Sequence, residues 1–153
     1  MKIIILPDPI LKRKIASVTL EEVKNGSLKE LILDMKKTMI DSNGVGLAAN
    51  QVGIDKAVFV IDEPLADNSG SPSVFINPEI TDYSKEVDIM EEGCLSIPSF
   101  YSEITRSKKI KIKAIDENGV KFKIIAKGLL ARVLQHETDH LNGVTIKDRS
   151  EGK

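Results

Sequence analysis

The clearest pattern in the chain is an alternation of lysine with apolar residues in its last third. Lysine occupies positions 109, 111 and 113 between isoleucines and an alanine, and the alternation resumes at positions 120–124 after Asn118-Gly119. Successive side chains of a strand point to opposite faces of the sheet, and Asn-Gly is typical of a two-residue hairpin turn. The pattern predicts a β-hairpin with one buried face and one solvated, lysine-rich face.

Two segments have apolar residues at helical spacing. The first follows Ser27 and Glu30, which have the spacing of a capping box, and it should end at Asn43-Gly44. Its apolar stripe consists of Leu28, Leu31, Ile32, Met35 and Met39. The second helix is predicted over residues 129–141, with both histidines of the chain on its inward face.

The remaining segments decide the fold class. Residues 57–62 and 74–77 are rich in β-branched residues and predict strands, whereas residues 63–73 are typical of a loop. Strands and helices without regular alternation predict an α+β fold, with mixed or antiparallel sheets packed around the histidine-bearing helix. We expect a single domain spanning residues 1–153, with one N-terminal helix and no C-terminal helix.

Composition narrows the range of partners. The 22 basic and 23 acidic residues give a net charge of −1, so there is no basic excess for binding nucleic acid, and the lysine-rich face is interpreted as solvated. The longest apolar runs are far shorter than the roughly 20 residues of a membrane helix. Only four apolar residues follow Lys2, where a secretory signal needs about 7–15. We therefore expect a cytoplasmic protein without nucleic-acid or membrane partners.

The second predicted helix carries an HExxH motif, His-Glu-Thr-Asp-His, at residues 136–140. Residues four apart on a helix are separated by about 400° of rotation, so His136 and His140 project from nearly the same side and can bind one metal ion. Glu137 stands beside the first histidine, where a carboxylate can take a proton from a water activated by the metal. The motif predicts metal-assisted hydrolysis.

A catalytic metal site of this kind needs a third protein ligand and one open position. Only 13 residues follow His140, and their only carboxylates are Asp148 and Glu151. The sole cysteine, Cys94, is therefore favoured as a third ligand from upstream. Two alternatives remain: a peptidase that cleaves internal bonds and has a downstream third ligand, and a closed structural metal site completed by a carboxylate such as Glu92.

Three blocks of the chain resemble the peptide deformylase family and occur in the family's order. They are GVGLAANQ at residues 44–51, EGCLS at residues 92–96 and HETDH at residues 136–140. The resemblance implies an enzyme that removes the formyl group from the N-terminal methionine of nascent polypeptides. In the implied reaction, a hydroxide bound to the metal attacks the formyl carbon. It implies one divalent ion, with Fe²⁺ expected in the cell and Zn²⁺ or Ni²⁺ also able to occupy the site.

The same resemblance implies roles for individual residues. Metal ligands are Cys94, His136 and His140, and Glu137 is the general acid/base. The oxyanion is held by the Gln51 amide and the Leu95 backbone N–H. Substrate contacts come from Val45 and Gly46, which would pair with the peptide as an added strand, and from Leu129 and Val133, which with His136 would flank the methionine pocket. From spacing alone, Gly44 and Gly46 fit a tight turn equally well.

Two further expectations concern the surroundings of this site. A buried Asp139 would need a cation, and Arg106, just before the hairpin, is the expected partner. Many family members continue into a C-terminal helix where this chain ends soon after residues 144–149. Ribosome docking that depends on such a helix therefore has no support in the sequence.

Overall fold

A computed structural model describes residues 1–151 of the chain. Its α-helices are α1 (Leu20–Lys24), α2 (Lys29–Asp41), α3 (Glu63–Ser69), α4 (Gly128–Leu141) and α5 (Ile146–Glu151). Its strands are β1 (Gly46–Ala48), β2 (Val58–Ile61), β3 (Val74–Tyr83), β4 (Val87–Cys94), β5 (Ile97–Ser107), β6 (Lys109–Ile115) and β7 (Lys121–Lys127). Short 3₁₀ helices cover Pro9–Lys12 and Ala49–Val52.

The strands form two antiparallel sheets. The larger has the order β1-β2-β3-β6-β7, and β4 with β5 forms a separate hairpin. Helix α4 packs its apolar side on one face of the larger sheet, and α2 covers the other face over β1–β3. The prediction of antiparallel sheets around the HExxH-bearing helix is therefore confirmed.

The lysine-rich hairpin is also confirmed. Ile110, Ile112 and Ala126 are buried against α4, and the lysines face solvent. The connection differs from the predicted two-residue turn, because the Asp116 carboxylate accepts hydrogen bonds from the backbone N–H groups of residues 118 and 120. Residues 116–120 thus form a longer loop that this side chain holds closed.

The N-terminal half corrects three sequence predictions. The capping box belongs to Thr19 and Glu22 at the start of α1, whereas α2 begins at Lys29 without a side-chain cap. The expectation of one N-terminal helix is therefore wrong. Residues 63–69, predicted as a loop, form α3, which the Asp62 carboxylate caps and Gly70 ends in a left-handed conformation.

The C-terminal end corrects a fourth prediction, because α5 is a C-terminal helix. A six-residue helix is too short to be stable alone, and tertiary contacts hold it: Ile146 is buried, and the Ser150 hydroxyl lies 2.9 Å from that of Ser102 on β5. No helix within residues 1–151 is long and apolar enough to cross a membrane. That the chain is a single domain stays a prediction.

Candidate active site

Three side chains from two elements, β4 and α4, come together in the structure. Cys94 ends β4, and His136 and His140 lie one turn apart on α4. The Cys94 Sγ is 3.3 Å from His140 Nε2, which is 3.2 Å from His136 Nε2, and all three donor atoms lie within 4.8 Å of one another. The structure thus brings together the three residues that the sequence predicted as metal ligands.

Two of the three distances between these donor atoms fit a tetrahedral metal ion, and the third, between Cys94 and His136, is no more than 4.8 Å. Metal–nitrogen bonds of about 2.0–2.1 Å and a metal–sulfur bond of about 2.3 Å imply edges of about 3.3 Å between nitrogens and about 3.6 Å between sulfur and nitrogen. The observed 3.2 and 3.3 Å are close to these values. Two imidazoles and one thiolate are also a donor set that suits zinc and other divalent transition metals.

A carboxylate on β4 fixes the orientation of one histidine. Glu92 Oε1 lies 2.9 Å from His136 Nδ1, so this nitrogen carries the proton and Nε2 is left to act as a ligand. Burial alone would lower the pKa of His136, but hydrogen bonds with Cys94 and Glu92 outweigh it and raise the pKa to about 10. Without a metal the ring is therefore protonated, and an ion bound here would replace the proton on Nε2. Burial and the neighbouring His136 hold the pKa of His140 well below its ordinary value.

Glu137 lies against the backbone of β1. A Cβ atom at Gly46 would come within 2.6 Å of Glu137 Oε2 and 2.9 Å of its Cδ, so the space of the missing side chain is filled by this carboxylate. Glu137 is buried, and within the described residues its Oε1 has no hydrogen-bond partner. Burial raises the pKa of Glu137 to about 7, which suits a group that both takes and gives a proton near neutral pH.

Gln51 presents its amide N–H₂ to the same cluster. Its Oε1 accepts the backbone N–H of Ala48 at 3.0 Å, which fixes which end of the amide faces inward. Its Nε2 lies 3.1 Å from Ser96 Oγ and 3.7 Å from Cys94 Sγ. The Gln51 amide is therefore an oriented donor beside the cluster of Cys94, His136 and His140. Leu95 lies beside Cys94 in the two-residue turn between β4 and β5.

Strand β1 is an edge strand that begins at Gly46, and Val45, the other residue predicted to pair with substrate, directly precedes it. Its partner β2 lies on one side only, and the Asp62 N–H donates to the Val45 carbonyl there. Because backbone groups alternate in direction along a strand, the N–H and C=O of Gly46 point to the opposite, open side. That side faces a cleft.

The cleft has a volume of about 460 Å³. It is lined by the residues expected to contact substrate and by the catalytic candidates: Val45, Gly46, Gln51, Cys94, Leu95, Leu129, Val133, His136 and Glu137. Leu129 is half exposed at its rim, and Val133 is buried. Nine residues given roles from the sequence thus line one cleft, and those roles stay predictions.

Comparison with known proteins agrees with this geometry. A sequence profile described as polypeptide deformylase matches residues 1–153. The chain belongs to the polypeptide deformylase family. A peptide deformylase of Thermodesulfovibrio yellowstonii is 46% identical over 143 residues, which cover 94% of this chain and 84% of that protein.

Solved structures of the family have the same fold. The crystal structure of peptide deformylase from Thermotoga maritima has a TM-score of 0.86 at 44% identity, covering 97% of this chain and 95% of that one. A Met-Ala-Ser-bound crystal structure of a class I type b peptide deformylase from Acinetobacter baumannii has a TM-score of 0.88 at 34% identity and covers 97% of both chains.

In this family member a buried charge network supports the metal-site residues. The Arg106 guanidinium donates to both oxygens of Glu92, at 2.9 and 3.0 Å, and to Asp139 at 2.6 Å. The contact expected between Arg106 and Asp139 is confirmed. Burial would raise the pKa of Glu92, but hydrogen bonds from His136 and Arg106 outweigh it and hold the pKa far below its usual range.

The sequence missed several members of the site. Arg132 on α4 donates to Glu92 at 2.5 Å, and Arg149 on α5 makes a bidentate pair with Asp139. Ser96, which accepts from Gln51, was also missed. An arginine beside the HExxH motif on the predicted inward face was a readable signal for Arg132, because such a residue needs a buried carboxylate.

The two alternative metal sites lack support among the described residues. Glu92 is bound by Arg106, Arg132 and the Nδ1 of His136, so its carboxylate orients His136 and is not free to complete a closed metal site. Downstream, the Asp148 carboxylate is bound to Lys12 and to the Thr145 backbone. The cluster of Cys94 and the two histidines remains open towards the cleft.

Proposed function

We propose that the protein is a metal-dependent deformylase that removes the formyl group from N-formylmethionine at the start of nascent polypeptides. The observation that carries this proposal is the triangle of Cys94, His136 and His140, with the carboxylate of Glu137 beside it and the amide of Gln51 directed at it. A single divalent ion bound there would polarise a carbonyl group and lower the pKa of water.

Glu137 is the proposed general acid/base. Its carboxylate takes a proton from the attacking water and returns it to the amine nitrogen that departs from the formyl carbon. A pKa of about 7 supports both transfers near neutral pH. Gly46 leaves room for this carboxylate, because a Cβ atom at this position would come within 2.6 Å of Glu137 Oε2.

Charge that develops on the formyl oxygen is proposed to be stabilised by Gln51 and the Leu95 backbone N–H. The Gln51 amide is already turned towards the cluster by its bond to Ala48, so little reorganisation is needed during the reaction. A donor that is fixed before the reaction contributes more than one that must be recruited from solvent.

The substrate is proposed to bind as an extra strand on β1. The open N–H and C=O of Gly46 supply backbone hydrogen bonds, and Val45 lies next to them. The methionine side chain would lie among Leu129, Val133 and His136. The relative from Acinetobacter baumannii that is described as Met-Ala-Ser-bound carries the deformylated form of such a peptide.

Fe²⁺ is the ion proposed for the cell, and Zn²⁺ or Ni²⁺ for some preparations. Zinc exceeds ferrous iron in intrinsic affinity for nitrogen and sulfur ligands, so metal supply decides which one is bound. We propose that the protein acts in the cytoplasm, where nascent chains are made.

The test is release of free amine from formyl-Met-Ala-Ser by protein reconstituted anaerobically with ferrous iron. We expect turnover by the parent and a loss of at least a hundredfold in Glu137→Gln, which keeps the size of the side chain. Glu91→Gln is the matched control, because Glu91 lines the same cleft but is exposed.

Metal content is measured in each preparation, so that loss of metal is separated from loss of the proton carrier. Cleavage of internal bonds in an unformylated peptide would instead assign a peptidase. Absence of turnover by folded, metal-loaded parent would refute the proposal.

A further inference from the structure

Six lysines form an exposed surface on the hairpin of β6 and β7, here called the lysine face. Its members point away from α4 and are all exposed: Lys109, Lys111, Lys113, Lys121, Lys123 and Lys127. Helix α2 covers this side of the sheet only over β1–β3, so the lysine face lies beyond the covered part. The proposed reaction makes no use of it.

Charge is distributed unevenly along the chain. Residues 108–127 contain seven lysines and two acidic residues, a net charge of +5. Since the whole chain has a net charge of −1, the other residues together carry −6. The near-neutral total therefore conceals a strongly basic segment. The low net charge of the whole chain argues against a polyanionic partner in general, but it does not exclude one at this face.

The hairpin register places like charges directly opposite each other. Lys109 pairs with Lys127, and Lys113 pairs with Lys123. Like charges in opposed positions destabilise a sheet. Glu79 compensates one of them, at 3.5 Å from Lys113, but Lys109, Lys123 and Lys127 form no ion pair with any residue of the described chain. The hairpin therefore carries positive charges that lower the stability of its own sheet.

We propose that the lysine face binds the phosphate backbone of duplex RNA. Lysine is a flexible point charge that contacts phosphates without reading bases, and the face contains no arginine fork or aromatic side chain for stacking on single-stranded bases. Lysines two residues apart on a strand are about 6.8 Å apart, which places several of them along one backbone at the same time.

Lysines arranged in two neighbouring rows suit the wide, shallow minor groove of an A-form duplex, which is bordered by two backbones. A membrane is less suitable, because the only large apolar side chain exposed between the lysines is Ile125. The choice of RNA over DNA rests on the proposed function, since substrates that are nascent chains emerge from an RNA-rich particle.

The lysine face and the cleft lie on different sides of the larger sheet. Helix α4, which carries His136 and Glu137, packs on the face opposite the lysines. A bound duplex therefore leaves the cleft open, and the protein could be held near its substrates during turnover.

The test measures binding of the metal-loaded, full-length protein to a labelled RNA duplex by fluorescence anisotropy at several salt concentrations. The test variant changes four lysines of the face to glutamine: Lys109→Gln, Lys111→Gln, Lys123→Gln and Lys127→Gln. The control variant makes the same change in net charge at exposed lysines elsewhere: Lys14→Gln, Lys29→Gln, Lys37→Gln and Lys147→Gln. Circular dichroism and urea unfolding establish that each variant is folded, and hydrolysis of formyl-Met-Ala-Ser is measured separately.

We expect the test variant to bind about tenfold to a hundredfold more weakly and to lose about 3 to 4 from the slope of log K against log salt, while the control stays close to the parent. Equal weakening in both variants would show that only net charge matters and would overturn the proposal. No binding by the parent at low salt, or tighter binding to a DNA duplex or to anionic vesicles, would also overturn it. Because binding and hydrolysis are read separately, a failure of the proposed reaction would not be confused with a failure of this surface.

Discussion

Replacing Gly46 by alanine should disable the enzyme through Glu137, without removing any group that touches the substrate. The new Cβ would lie 2.6 Å from Glu137 Oε2, and ordinary contact begins at 3.4 Å, so the carboxylate must move by about 0.8 Å. A misplacement of about 1 Å in a catalytic group can lower a rate about a hundredfold. We therefore expect kcat to fall about a hundredfold, equivalent to about 2.7 kcal/mol.

The effect should appear in kcat rather than in KM. The backbone N–H and C=O of Gly46, which are proposed to pair with the peptide, remain in the alanine variant. Gly44→Ala is the matched control, since its Cβ would come closer than ordinary contact only to the flexible end of Leu95, at 3.1 Å. We expect a change of no more than a few fold. Metal content should remain equal in both variants.

Combining Gly46→Ala with Glu137→Gln decides whether the glycine acts through the carboxylate. If it does, the double variant should be about as slow as Glu137→Gln alone, because residues that act as a unit are not additive. Independent, multiplying losses would refute this reasoning. So would a Gly46→Ala variant with parental kcat beside an inactive Glu137→Gln.

Four further single variants test the metal centre, the charges that support it and the ion pair of Asp148. Arg106→Ala should lower the free energy of unfolding in urea by about 3 kcal/mol, the lower end of the range for a broken buried ion pair, because Glu92 keeps Arg132 and Asp139 keeps Arg149. A double-mutant cycle with Asp139→Asn should show coupling, and additive losses would contradict the pairing. Arg149→Ala should have a smaller effect than Arg106→Ala, since its side chain is 47% exposed. Cys94→Ala should bind less than a tenth of the parental metal, as measured by elemental analysis after dialysis. Although partial burial opposes it, the Lys12 ammonium holds the pKa of Asp148 below its usual value, so its stabilising effect is present at neutral pH and is lost as pH falls through that lowered pKa. Asp148→Asn should therefore destabilise the protein at neutral pH, and the difference from the parent should shrink as the pH falls through the lowered pKa.

Local spacing and chemistry were enough to single out three residues that come together in the folded chain. His136 and His140 share a helix, and their separation of four residues alone brings them together. Cys94 was reached by elimination, since the HExxH motif supplies only two metal ligands and a third, soft donor had to come from elsewhere in the chain. The hairpin of β6 and β7 was predicted for a similar reason, because alternation over a few residues fixes which side is buried.

Contacts between distant segments were the part that local patterns could not predict. Glu92 was considered as a fourth ligand, but its role depends on Arg132, which is 40 residues away and whose position only the folded chain defines. Helix α5 was missed because its six residues are held by tertiary contacts rather than by helix propensity. The role of Gly46 was also hidden, because the side chain that fills its space lies 91 residues further along the chain.

The hairpin of β4 and β5 is attached to α4 mainly through polar groups, and this explains how the metal centre is assembled. Among the buried residues of this hairpin Ile104 is the only apolar one, whereas Arg106 and Glu92 are buried through ion pairs with each other and with α4.

Cys94 lies on that hairpin and both histidines lie on α4, so a bound ion would join the same two elements that the charges already connect. Binding to the folded state alone stabilises it, and ion pairs that hold Cys94 near the histidines reduce the ordering required for metal binding. The arginine network and the metal should therefore reinforce each other, and weakening either should weaken the attachment of the hairpin to α4.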